Sequence, residues 1–118
     1  MRSPVALVLL PLLAGLTMAS CGTFPCARRE EWRLEAPTRD YVAIHAERNC
    51  HATAPFQTEV LLARPGDSVS AARSVIITRY AASLDLKWQS DTLVIRLPDG
   101  TDIERRRKRV GDIQIRYE

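Results

Sequence analysis

Two of the three cysteines in this 118-residue chain, Cys26 and Cys50, stand in polar sequence where sulfur chemistry is open to them, while Cys21 closes an apolar N-terminus. In an oxidising compartment Cys26 and Cys50 are expected to pair, and closing a loop of that length stabilises a fold by roughly 3 kcal/mol. The rival chemistry is a metal site built from Cys26, Cys50 and His51, which offers three candidates and no C-x-x-C spacing. The other conspicuous group is the run Arg105-Arg106-Arg107-Lys108-Arg109. Five consecutive cations cannot all leave a strand on one side, so the run is either an edge strand exposed on both faces or a loop. It protects the edge by charge or it meets an anionic partner. Residues 99–118 also hold Asp99, Asp102, Glu104, Asp112 and Glu118, which can partly neutralise it.

The remaining candidates point away from catalysis. His45 and His51 have no motif around them and are expected to be structural or solvated. Gly66-Asp67-Ser68-Val69-Ser70 imitates the start of a nucleophile elbow without its final glycine or its strand-to-helix setting, and reads as a loop. Asp99-Gly100-Thr101-Asp102 offers two carboxylates, far short of a calcium cage, and reads as a hairpin turn. There is no Gly-rich phosphate loop, no HExxH and no triad. No catalytic residue, no cofactor and no metal ion is expected, and the chain is not expected to be an enzyme.

The N-terminus decides the compartment. Of the first 20 residues 13 are apolar, and Arg2 is the single charge. Pro4 to Leu16 has the length of a secretory h-region, is interrupted by Pro11 and Gly15, and is shorter than the roughly 20 residues a spanning helix needs. Thr17-Met18-Ala19-Ser20-Cys21 then resembles a bacterial lipobox, with Met18 where that class most often has Leu. The resemblance implies a signal peptide over 1–20, cleavage before Cys21, and acylation (palmitate among the chains) at its sulfur and usually at the new amino group. Gly22, where an acidic residue would signal retention in the inner membrane, favours the outer membrane facing the periplasm. With Cys21 assigned to lipid, the odd cysteine count becomes an even pair. Residues 21–25 form a tether whose five residue steps reach at most about 17 Å, so the domain over 26–118 must lie close to the bilayer.

Period-two alternation organises that domain. Strands are expected at 31–35, 41–46, 57–63, 74–80, 83–88, 92–97, 103–110 and 113–117, with turns at Pro37 to Asp40, Pro65-Gly66-Asp67, Gln89-Ser90-Asp91, Pro98-Asp99-Gly100 and Gly111-Asp112. Strands 83–88 and 92–97 should form a hairpin. Val75-Ile76-Ile77 reads as a strand buried on both faces, and 68–74 could hold one helical turn. Short strands with turns about every ten residues predict an all-β fold, a small antiparallel meander forming a barrel or sandwich. The expected core is Trp32, Val42, Ile44, Val60, Leu62, Ile76, Leu84, Leu86, Trp88, Leu93, Ile95, Ile113 and Ile115.

Asp40-Tyr41-Val42-Ala43, Glu47-Arg48-Asn49-Cys50-His51-Ala52-Thr53, Phe56-Gln57-Thr58-Glu59-Val60 and Trp88-Gln89-Ser90-Asp91-Thr92-Leu93-Val94-Ile95 together resemble segments of a family of small, uncharacterised proteobacterial lipoproteins. The resemblance spans Cys26 to Glu118. The chain departs from it at Pro37 to Asp40, which lacks an Asp-Gly turn, and at His51, where the family has Gly. It implies a cysteine before the first turn, in line with the Cys26–Cys50 pairing, and implies no activity. The sequence therefore predicts a lipid-anchored β-domain that binds an envelope partner, protein or anionic surface, or acts structurally. An inhibitor or immunity protein against a hydrolase is the alternative. Export excludes nucleic acid as a partner.

Overall fold

The computed structural model describes residues 26–51 and 53–118. The signal peptide expected over 1–20, the lipidation expected at Cys21 and the tether expected over 21–25 fall outside them. The alternating segments form nine strands: β1 Ala27–Glu35, β2 Val42–Asn49, β3 Gln57–Ala63, β4 Arg73–Thr78, β5 Asp85–Gln89, β6 Thr92–Arg96, β7 Ile103–Arg106, β8 Arg109–Val110 and β9 Ile113–Tyr117. They build a five-stranded sheet in the order β1-β2-β3-β4-β7 and a four-stranded sheet in the order β5-β6-β9-β8. The domain is all-β, with the sheets packed on one another. All pairings are antiparallel except β6 with β9, which run parallel.

The apolar residues explain why the sheets meet. Ala43, Val60, Leu62, Val75 and Ile76 of the larger sheet pack with Leu84 and with Leu93, Ile95, Val110, Ile113 and Ile115 of the smaller one. Alternation alone would leave the other face of the larger sheet wet. Instead Val42, Ile44, Ala46, Leu61 and Ala63 form a second buried cluster there, with Val69 and Ala72 of the β3–β4 connection laid against it. The predicted helical turn is a short 3-10 turn at Val69–Ala71 in that connection. It lets the chain fold back over the outer face of its own sheet.

Several expectations change. Trp32 is not core: it is 40% exposed. Leu86 and Trp88 pack only partly buried against the inter-sheet core. Val42 and Ile44 are buried, but in the outer cluster. The strand expected over 103–110 is two strands in different sheets, because Arg107-Lys108 carries the chain from one sheet to the other. The Pro98–Thr101 turn, with Gly100 at φ 81°, likewise joins the two sheets and is not a hairpin. His51 has no positive φ.

Cys26 precedes β1 and is disulfide-bonded to Cys50, which follows β2. Strand directions place the connections 50–56, 79–84 and 97–102 at the same end of the sandwich as Cys26. The connections 64–72 and 111–112 lie at the far end.

Candidate functional site

Three groups of polar side chains stand out, and the fold places each for a different reason. The first is built around His45, in mid-β2 on the face turned to the smaller sheet. An irregularity in β1 pairs Glu30 with Ala46 and Trp32 with His45, leaving Glu31 as the extra residue. Such a bulge re-aims side chains, and here Glu31 and Trp32 both reach the imidazole. The indole stacks on it at 4.9 Å, and Glu31 Oε1 lies 2.9 Å from Nδ1. The backbone N–H of Leu84 donates to Nε2 at 3.2 Å. Since that N–H can only donate, Nε2 holds the lone pair and Nδ1–H donates to Glu31. Both ring nitrogens are therefore spent on fixing β1 and the 79–84 connection to β2. An open cleft of about 430 Å³ lies beside them, lined by Glu31, Trp32, Glu47 and Ala81–Ser83.

The second group is a buried ion cluster on the opposite face. Glu59 is 0% exposed, in mid-β3 beside apolar Leu61 and Ala63. Arg28 grips it with two hydrogen bonds, Nε to Oε1 at 2.8 Å and Nη2 to Oε2 at 3.3 Å. Arg48 Nε is 3.6 Å from Oε1 and is buried with no hydrogen bond of its own. Arg48 Nη1 donates to Gln57 Oε1 at 2.7 Å, and Gln57 Nε2 donates to Glu104 Oε1 at 2.9 Å. A chain of polar contacts thus crosses the larger sheet from β1 to β7. A buried carboxylate of this kind holds strands in register, because removing any partner strands a charge away from water.

The third group is the predicted one. Arg105, Arg106, Arg107, Lys108 and Arg109 are all exposed. They form the outer edge of β7, the crossing between sheets and the start of β8. Main-chain bonds pin the crossing: Arg107 N–H donates to Val75 O at 2.9 Å, and Ile115 N–H donates to Lys108 O at 2.9 Å. The Tyr117 hydroxyl donates to Arg107 O at 2.6 Å, and the Arg106 guanidinium lies 5.0 Å over the Tyr117 ring. Burial pushes the Tyr117 phenol up to about 12, against the opposing pull of the Arg106 charge.

Neutralisation by nearby acids, expected from composition, takes another course. Asp102 pairs with Arg79 at 3.3 Å, Glu118 with Arg116 at 3.3 Å, and Glu104 receives Gln57. Among the described residues none of the five cations has an ion-pair partner within 4.0 Å.

The cysteine question is decided for the disulfide over the metal. His51 is exposed and its Nδ1 meets Thr53 Oγ1 at 3.0 Å. The Gly66–Ser70 segment is a turn in which Ser68 and Ser70 hydroxyls bond each other at 2.8 Å. Glu59, Arg28 and Arg48 were not singled out from the sequence. The signal was present: Glu59 shares its strand face with Leu61 and Ala63, an apolar setting that implies a paired carboxylate. No family model, curated protein or solved structure matches the chain.

Proposed function

We propose that the chain is a lipid-anchored β-sandwich on the periplasmic side of the outer membrane, and that it works by binding an anionic envelope partner without catalysing a reaction. The observation that carries this reading is the Arg105–Arg109 edge, whose cations are exposed and lack ion pairs among the described residues while the acids around them serve other partners. Each cation near an anionic surface contributes at most about 1 kcal/mol, less where salt screens it. Several acting together make a contact surface. The address comes from the lipobox-like Thr17 to Cys21, and the likeness to small proteobacterial lipoproteins agrees with it. The Cys26–Cys50 disulfide suits an oxidising compartment.

The test has two arms on the full chain expressed in a bacterial host. A C21A variant is expected in the soluble periplasmic fraction, and its unchanged membrane association would overturn the anchor. Chemical cross-linking in intact envelopes is expected to give adducts with wild type that disappear when Arg105 to Arg109 are replaced by Gln. Equal adduct yields would overturn the basic edge as the binding surface.

A second reading, inhibition of an incoming hydrolase, draws on the cleft beside Trp32. There Glu31 and Glu47 flank an exposed indole, a setting suited to a basic side chain from a protein partner. Arg29 now spans those two carboxylates at 3.8 Å and 3.2 Å.

A further inference from the structure

The end of the sandwich that carries Cys26 differs in chemistry from the far end. Phe56 is 51% exposed and Tyr80 57% exposed, and with Trp32 they are the exposed large hydrophobic residues of the described chain. Phe56 closes the 50–56 connection and Tyr80 opens the 79–84 connection, so both sit at the end from which the tether leaves. Cys50, Pro55 and Tyr80 line one shallow cleft of about 450 Å³ with Arg48, Arg79 and Glu104. The far end is made of the connections 36–41, 64–72, 90–91 and 111–112, and none of them carries an exposed large hydrophobic side chain.

We infer that the Cys26 end is seated in the head-group layer of the bilayer, with Phe56 and Tyr80 as its interfacial side chains. The inference rests on the acylation of Cys21 proposed above. The chain between anchor and domain fixes the geometry. Five residue steps reach at most about 17 Å, whereas β3 alone, from Gln57 to Ala63, rises about 20 Å along the sandwich. The tether therefore favours the Cys26 end as the one that meets the membrane.

Aromatic side chains with an apolar body are the residues that collect at membrane interfaces, and a second contact is what turns a lipid anchor into a fixed orientation. Charge plays little part at this end. Arg79 is paired with Asp102, Arg48 lies beside Glu59, and Asp99 on the neighbouring connection would be repelled by anionic lipid. Seating is therefore independent of anionic lipid. It leaves the basic β7–β8 edge rising along the side of the domain, away from the bilayer.

The experiment uses the acylated full-length protein purified from membranes and reconstituted in phosphatidylcholine vesicles containing nitroxide-labelled lipid. A fluorophore is attached at Ala81→Cys, beside Tyr80, or at Ser70→Cys, at the far end. Mass spectrometry reads the acyl chains on Cys21 independently. The label at 81 is expected to be quenched and the label at 70 not, and adding F56S/Y80S is expected to reduce quenching at 81 to the level at 70, with an unchanged urea midpoint showing that the fold survives. Acylated protein with equal quenching at both positions, or with quenching at 81 insensitive to F56S/Y80S, overturns the seating alone. Protein lacking acyl chains overturns the seating together with the reading it rests on.

Discussion

The two edges of the five-stranded sheet are both rich in arginine and do opposite things with it. Along β1, Arg28 is locked to buried Glu59, Arg29 to Glu47 at 3.2 Å, and Arg33 to Glu30 at 2.6 Å. The hydrogen bond from Arg33 holds the Glu30 carboxyl below its ordinary value, and Arg33 itself is raised by the same contact. Along β7 and the crossing to β8 the cations have no such partners among the described residues. One edge spends its arginines on the fold, and the other keeps them free. An arginine count cannot separate the two; the carboxylate within reach does.

Breaking the β1 side should cost the most. Glu59→Gln keeps the shape but leaves Arg28 and Arg48 facing a neutral amide, one of them largely buried. Unfolding by urea is expected to show a loss of about 3 kcal/mol, in the range for uncoupling a buried ion pair. A loss no larger than that of an exposed pair would show that the cluster is not what holds β1 and β2 to β3.

The Tyr117 contact joins the free edge to the smaller sheet, and its effect depends on pH. Its folded phenol ionises near 12 and the unfolded one near 10. The neutral form is thus the one the fold prefers. Its contribution is full below pH 10 and is lost as pH rises towards 12. The urea midpoint of wild type should fall more steeply than that of Tyr117→Phe between those values. Parallel profiles would show that the phenol contributes nothing to closing the sandwich.

The smallest effect on stability is expected at the free edge itself. Replacing Arg105, Arg107, Lys108 or Arg109 singly with Gln should change unfolding by no more than about 0.5 kcal/mol, as for surface positions without partners. A loss comparable to that of Glu59→Gln would erase the contrast between the edges.

Much of this was legible in the residues. Alternation placed the strands within a residue or two at β3, β6 and β9, and turn chemistry placed most connections. One failure at the site, the missed Glu59 cluster, and the unforeseen partners of a histidine correctly read as structural have one cause. Glu59 meets Arg28 across 31 positions and His45 meets Leu84 across 39, so their partners come from distant segments that no local period reveals. The bulge at Glu31 is similar: it turns Trp32 onto the face of His45, but β1 is the edge of its sheet, and the indole stays 40% exposed where alternation assigns it to the core. The division of residues 103–110 between sheets depends on where β9 lies, and a parallel partner leaves no turn between strands to announce it.

That last strand has a consequence for the order of assembly. β9 lies between β6 and β8, so the smaller sheet has no continuous centre until residues 113–117 are in place, whereas the larger sheet is complete by residue 106. A chain emerging N-terminus first would build and oxidise the β1–β2 side early, and hold an open apolar face until its final strand slid between two waiting edges.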